Sequence, residues 1–175
     1  SCFLICLRKY FPGESPDGAP RIDVQGVFDA DIPGWQSTPV YLPAGAVLSV
    51  KILEGLPQGW RLRIGCHKDL LWHKEKWLRW PDITHEISLG YGETKIATPW
   101  GGSVYLIPSD TSEKIEVSLS GGIAMPLFIS GDSQEDWLSS RMHPGPWAEL
   151  VGRHVILSLP SAAIRNLDNP QDVTD

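Results

Sequence analysis

The sequence predicts an all-β protein: a jelly-roll-like β-sandwich of roughly nine or ten short antiparallel strands with one or two short helices. Apolar and polar residues alternate in many short segments, and the 17 glycines and 15 prolines fall mainly between those segments. Helical signals are few. With 175 residues, 42% of them hydrophobic, the chain is long enough to bury one core of ordinary size.

The individual strands are predicted from this alternation. They are residues 22–27, 38–42, 46–52, 60–66, 83–89, 103–107, 115–119, 123–129 and 154–159. Pro43-Ala44-Gly45 predicts a hairpin between the second and third strands. Gly121-Gly122 predicts a tight turn between the seventh and eighth, because glycine adopts the positive φ that such turns need.

Two short helices are predicted near the end of the chain. Asp132-Ser133-Gln134-Glu135 is typical of a helix cap, and the helix is expected to run through Trp137 to Arg141. Ser161 predicts the cap of a second helix at residues 162–165.

Composition excludes some classes of function. The net charge is −6, with 21 acidic against 15 basic residues, so a nucleic-acid partner is not expected. No apolar run approaches the roughly 20 residues of a membrane-spanning helix. The apolar segment 2–7 favours a first strand over a signal-peptide remnant, because it lacks a basic flank and a cleavage site. Three cysteines without metal-site spacing leave the redox compartment open.

A zinc site is not predicted. His85-Glu86 is the only His-Glu pair, and Leu89 stands where an H-E-x-x-H helix needs its second histidine. The surrounding residues alternate as a strand, which places His85 and Glu86 on opposite faces.

His67 lies between Cys66 and Asp69, which together contain the residue types of nucleophilic catalysis. Neighbouring residues on a strand point to opposite faces, so Cys66 and His67 can pair only at a bend. The alternative is a buried Cys66 and a loop-facing His67, with Asp69 bonded to the backbone. No catalytic residue is predicted.

Two tryptophan-containing segments are candidate binding surfaces. Trp72, Trp77 and Trp80 alternate with positive charges, a pattern compatible with a sugar-stacking surface or a partner-binding loop. The alternative is a loop whose tryptophans seal one end of the sandwich. Trp100 precedes the pair Gly101-Gly102, which permits a tight turn or the close approach of another backbone.

Four segments carry a resemblance to a known family. They are W-Q-S-T-P-V-Y-L-P-A-G from Trp35, I-G-C-H-K-D from Ile64, P-W-G-G-S-V-Y from Pro99, and P-W-A-E-L from Pro146, the last running on to R-N-L-D-N-P. In this order they resemble the leading part of the enhancin-like zinc metallopeptidases. That family includes viral enhancins, bacterial mucin-degrading peptidases and vertebrate TRP-channel-associated factors. The resemblance covers residues 11–170.

The resemblance implies a β-sandwich that precedes a catalytic domain with an H-E-x-x-H zinc helix. No position of this sequence matches that helix, so zinc is expected only in a downstream domain, and no cofactor is expected in this chain. Together with the tryptophan-rich segment, the matched positions give the candidate ligand or interface residues. These are His67, Asp69, Trp72, Trp77, Trp80, Trp100, Gly101, Gly102, Tyr105, Pro146 and Trp147.

The function expected from the resemblance is that of a non-catalytic accessory domain. Residues 1–160 would form the sandwich, and residues 161–175 a connector toward a downstream peptidase domain that acts on mucin-type glycoproteins. Expected partners are that domain and a mucin-type glycoprotein. The alternative is a stand-alone glycan- or protein-binding module without peptidase activity. A secreted or cell-surface location is favoured over the cytoplasm.

Overall fold

The structure is a computed structural model that describes residues 13–68, 70–77 and 82–174. The strand expected at residues 2–7 and the candidates Asp69 and Trp80 lie outside these ranges. The strands are β1 (Arg21–Phe28), β2 (Gln36–Leu42), β3 (Val47–Glu54), β4 (Arg61–Ile64), β5 (His85–Ser88), β6 (Glu93–Ala97), β7 (Gly102–Ile107), β8 (Ile115–Ala124), β9 (Leu127–Ile129), β10 (Trp147–Val151) and β11 (Ile156–Pro160). The helices are α1 (Gln134–Ser140), α2 (Ser161–Ile164) and α3 (Gln171–Thr174).

Eight strands form the main antiparallel sheet, in the order β5-β4-β7-β2-β8-β3-β6, with β1 paired to β8. Strand β8 joins the two halves of this sheet, because one of its edges pairs with β3 and then, at Ile123 and Ala124, with β2. Side chains from both halves, such as Leu62 and Leu106 against Val50 and Val117, share one buried core. The predicted all-β, sandwich-like fold is therefore confirmed. The jelly-roll connection order stays a prediction.

The predicted hairpin at Pro43-Ala44-Gly45 is wrong. The chain does turn there, since the Ala46 N–H donates to the Pro43 carbonyl at 3.0 Å. The strands on either side do not pair with each other, however: β2 pairs with β7 and β8, and β3 with β6 and β8. The turn carries the chain from one half of the sheet to the other, because long-range pairing with β8 sets the neighbours.

The predicted turn at Gly121-Gly122 is also wrong. Both glycines lie inside β8, where Gly122 is opposite Ile22 and Ser120 is opposite Asp23. Gly121 is thus the extra residue of a β-bulge, with a φ of +98°. A Cβ at Gly121 would lie 2.3 Å from the Val47 carbonyl oxygen, so the bulge admits only glycine.

A second sheet of three strands, in the order β11-β10-β9, lies beside the first. Strands β10 and β11 are antiparallel, whereas β9 and β10 are parallel. Its apolar side packs on α1 and α2 through Phe128, Trp137, Leu150 and Ile164. A third buried cluster of Tyr41, Ile123 and Met125, with Trp147 packed against it, links this sheet to the main one.

One of the two predicted helix caps is confirmed. Ser133 caps α1 by accepting a hydrogen bond from the Asp136 N–H at 3.1 Å. Ser161 does not act as a cap, because it is the first residue of α2 and Pro160 is the N-cap. The Ser161 hydroxyl instead donates to the Gly145 carbonyl at 2.5 Å. Within the described ranges, no helix is long and apolar enough to cross a membrane.

Candidate functional site

The candidate site lies at the junction of the two sheets and begins at a bend after β4. Gly65 has a φ of +83°, and a Cβ there would lie 2.8 Å from the Ile83 carbonyl oxygen. The bend brings adjacent side chains together, so that Cys66 Sγ is 3.3 Å from His67 Nδ1. Adjacent residues such as Cys66 and His67 can meet only where the chain bends, and the structure has such a bend at Gly65.

His67 faces the start of β10. Its ring centroid lies 4.8 Å from that of Trp147, at an interplanar angle of 60°. Trp147 also packs on the cluster of Tyr41, Ile123 and Met125. His67 and Trp147, which are 80 positions apart in the sequence, therefore connect the main sheet to the small one.

Gly101 and Gly102 complete the rim of this junction. Gly102 has a φ of +147°, and a Cβ there would lie 2.8 Å from the Gly65 backbone. Gly101, with a φ of +72°, approaches the Leu42 carbonyl oxygen in the same way. The space that these glycines share with Cys66, His67 and Trp147 is about 10 Å³, close to the smallest volume that holds one water molecule. Gly101 and Gly102 therefore allow their own segment to lie close to two others, the backbone at Leu42 and the backbone at Gly65.

Beneath this rim, Tyr105 of β7 donates a hydrogen bond to Oε1 of Glu149 of β10. Both side chains are buried, at 1% and 0% exposure. Burial raises the pKa of the Glu149 carboxyl, and burial together with the nearby carboxyl raises that of the Tyr105 phenol. Sequence reasoning missed Glu149, although it lies in the P-W-A-E-L segment that carried the resemblance.

Cys66 is part of the same polar cluster. Its thiol donates to Ser158 Oγ of β11 at 3.5 Å. Burial is the main cause of a raised pKa for this thiol, and the nearby Glu149 carboxyl raises it further. A thiol that holds its proton is a poor nucleophile. The arrangement therefore argues against catalysis by Cys66 and His67.

A half-buried cation stacks on Trp35, the ring that packs against Tyr105. The Arg63 guanidinium lies 4.2 Å from the centroid of the Trp35 ring, and that ring lies 5.3 Å from Tyr105. Arg63 also pairs with Glu86 at 3.2 Å. Trp35 belongs to a segment that carried the resemblance, but its side chain was not singled out.

The described residues of the tryptophan-rich segment do not line the space at this junction. The rings of Trp72 and Trp77 meet edge to face, with centroids 5.2 Å apart. Trp72 is 75% exposed and Trp77 39%, and the neighbouring Leu70 is 76% exposed. The alternative in which these tryptophans seal one end of the sandwich does not fit the exposure of Trp72.

The two remaining candidates have structural contacts. Trp100 is half-buried, and its backbone N–H donates to Thr98 Oγ1 at 3.2 Å. The Pro146 carbonyl accepts a hydrogen bond from the Ser161 N–H at 2.9 Å, which ties α2 to the start of β10. In the part of the chain that the structure describes, no three His, Cys, Asp or Glu side chains converge on a common metal position.

Two family models match consecutive parts of this chain. The N-terminal domain of M60-like peptidases matches residues 16–120, and peptidase M60, enhancin and enhancin-like, matches residues 121–175. The chain belongs to the M60-like, enhancin-like peptidase family, which confirms the resemblance. The border between the two matches falls within β8, beside the bulge at Gly121.

Relatives by sequence include TRPM8 channel-associated factors. The chain is 32% identical to TRPM8 channel-associated factor 1 of Bos taurus over 142 residues, which covers 78% of this chain and 15% of the relative. It is 34% identical to the homolog from Danio rerio over 144 residues, covering 79% and 16%. The chain thus spans about a sixth of the length of these relatives.

Solved structures of bacterial metallopeptidases share the fold. The IMPa metallopeptidase from Pseudomonas aeruginosa aligns with a TM-score of 0.66 at 16% identity, covering 92% of this chain and 20% of that one. The M60 catalytic domain of Clostridium perfringens ZmpB, solved with two CBM51 domains, aligns with a TM-score of 0.66 at 11% identity, covering 87% and 20%.

Proposed function

We propose that this chain is the non-catalytic accessory part of an enhancin-like metallopeptidase, and that it docks and orients a downstream catalytic domain. The observation that supports this proposal is the contact between residues 16–120, matched by the N-terminal domain model, and residues 121–175, matched by the peptidase model. Glu149 and Trp147 belong to the segment matched by the peptidase model, and they contact Tyr105 and His67 of the N-terminal segment. The first part of the peptidase region is thereby fixed to the sandwich.

This junction is suited to orientation because its parts are rigid. Close backbone approaches at Gly65 and Gly102 hold the bend after β4 against its neighbours in the N-terminal segment, and this bend presents His67 to Trp147 of the peptidase segment. The buried hydrogen bond between Tyr105 and Glu149 adds a directional contact. Zinc would be held by the downstream domain, and the substrate of the whole protein would be a mucin-type glycoprotein.

The test is cleavage of an O-glycosylated peptide by a longer protein that carries this chain ahead of its peptidase domain. We expect Trp147→Ala to lower the rate about tenfold or more, because a small displacement of a catalytic domain is costly. Trp147→Phe, which keeps the aromatic contact, should retain most of the activity. Tyr91→Ala, at a 78% exposed aromatic, is the control.

A longer protein without an H-E-x-x-H motif, or one whose chelator-sensitive activity is equal in the Trp147→Ala and Tyr91→Ala variants, contradicts the docking role. The 175-residue chain alone should cleave no mucin, with or without a zinc chelator. Chelator-sensitive cleavage by this chain would place the active site within it instead.

A second candidate function is ligand binding by the exposed pair of Trp72 and Trp77. The two indole rings meet edge to face and Trp72 is largely exposed, so a sugar ring or a partner's side chain can stack on it. The relatives are named for association with the TRPM8 channel, so a protein ligand is the alternative to a glycan.

Titration of the chain with mucin O-glycans tests the glycan form of this function. We expect Trp72→Ala and Trp77→Ala each to weaken binding about tenfold, since a contact with an aromatic ring contributes on the order of 1 kcal/mol. Tyr91→Ala should bind as the wild type does. If the wild-type chain binds no O-glycan, the proposal that Trp72 and Trp77 bind a glycan is wrong.

A further inference from the structure

The carboxyl group of Glu149 connects the two sheets. Its backbone belongs to β10 of the small sheet, and Tyr105 of β7 in the main sheet donates to its Oε1. Hydroxyls of Ser37 in β2 and Ser158 in β11 also lie beside the carboxyl. Groups from three other strands thus enclose a side chain with no exposed surface.

One oxygen of this carboxyl is left without a partner. Oε2 of Glu149 is buried and accepts no hydrogen bond from the described residues, and Ser37 Oγ is buried and unpaired in the same sense. A buried carboxylate oxygen without a donor is strongly unfavourable. A proton on Oε2 removes the charge and supplies a donor for the Ser37 hydroxyl, so one proton satisfies both atoms.

Hydroxyls of Ser37, Tyr105 and Ser158 favour the charged form of Glu149, but burial outweighs them, and no cation among the described residues pairs with this carboxyl. The titratable groups that face Glu149 are the Tyr105 phenol and the Cys66 thiol, and burial raises the pKa of both, so both are neutral. Ion pairs among the described residues join Arg61 and Arg63 to Glu86, Lys95 to Glu93, and Arg141 to Asp168. None of them involves Glu149. His67 lies beyond Cys66, against Trp147.

We propose that Glu149 is a neutral carboxylic acid in the folded protein, that its proton links the small sheet to the main sheet, and that loss of this proton on alkalinisation loosens the junction. This inference is independent of the proposed function. The folded state binds the proton more tightly than the unfolded state, because burial raises the pKa of the carboxyl. The stability from this proton is therefore full below the unfolded pKa and is lost as pH rises through the folded pKa.

Thermal and urea unfolding of the 175-residue chain at pH values from about 5 to about 9 tests the proposal. Within the window between the two pKa values, the unfolding constant of the wild type should rise about tenfold per pH unit from this one group. Glu149→Gln keeps the shape and the donor but does not ionise, so this rise should vanish. The variant should also be more stable than the wild type at alkaline pH.

The matched control is Glu93→Gln. Glu93 is a surface carboxyl whose pKa is lowered by a hydrogen bond from Ser49, so it is already ionised throughout this range. This variant should keep the alkaline slope of the wild type. Equal slopes in the wild type and Glu149→Gln would overturn the proposal.

Infrared spectroscopy gives a readout that does not depend on any variant folding. The native wild-type chain at neutral pH should show the C=O stretch of a protonated carboxyl, and this band should disappear on alkalinisation. Glu149→Gln should lack the band, whereas Glu93→Gln should keep it. Absence of a protonated carboxyl in the native wild type at neutral pH would show that Glu149 is ionised and would end the proposal.

Discussion

At the residue scale, the junction depends on a few positions where two backbones touch. Gly102 is the clearest of these, because it combines a positive φ with a Cβ position 2.8 Å from both the N and the Cα of Gly65. Neither atom belongs to a side chain that can rotate away. A methyl group at residue 102 therefore displaces the bend that carries Cys66 and His67.

We expect Gly102→Ala to lower the free energy of unfolding by about 3 kcal/mol, as the sum of backbone strain and a backbone clash. Gly92→Ala is the control, because Gly92 also has a positive φ, of +83°, but nothing lies within 4 Å of its Cβ position. That variant should lose only about 1 kcal/mol. Urea denaturation measures both, and equal losses would contradict the clash.

At the scale of strands and helices, local periodicity was enough to predict many elements. Strands β1, β3 and β4 alternate as expected, because one face of each packs on the core. Strands β6 and β10 escaped prediction. Strand β6 is largely polar. Strand β10 buries Glu149 at a position where an alternating strand has an apolar residue, so neither shows the expected pattern.

Pairing between elements was less predictable than the elements themselves. The turn at 43–45 and the glycines at 121–122 are local signals of reversal, yet their strand neighbours are set by contacts with distant residues. The same limit applies to the site. His67, Tyr105 and Trp147 could be singled out in the sequence, but their convergence with Glu149 depends on the packing of β10 against β7 and the bend after β4.

The cap of α1 is an element whose contribution can be measured by itself. Ser133 accepts a hydrogen bond from the Asp136 N–H, which otherwise has no partner within the helix. We expect Ser133→Ala to lower the free energy of unfolding by about 1 kcal/mol. Ser139→Ala, on the exposed side of the same helix, should be neutral or slightly stabilising because alanine favours helices. Thermal unfolding that ranks the two variants in the opposite order would contradict the cap.

At the scale of the whole molecule, the two family segments share one strand. The match to the N-terminal domain ends at residue 120, whereas β8 continues to Ala124 and pairs there with β2. The residues after this border supply Ile123 and Met125 to the cluster that buries Tyr41. The sandwich is therefore completed by residues of the peptidase segment.

We expect a chain that ends at Ser120 to lose cooperative unfolding, because it removes the β2–β8 pairing and exposes Tyr41 and Tyr105. The control is a chain that ends at Pro170, which removes α3 but keeps both sheets. Circular dichroism during heating, together with binding of a dye that reports exposed apolar surface, compares the two. The shorter chain should bind the dye and melt broadly, while the control should melt sharply, within about 10 °C of the full chain. A sharp transition in the chain that ends at Ser120 would mean that the N-terminal segment folds without the peptidase segment, and the shared strand would then be a contact between independent units.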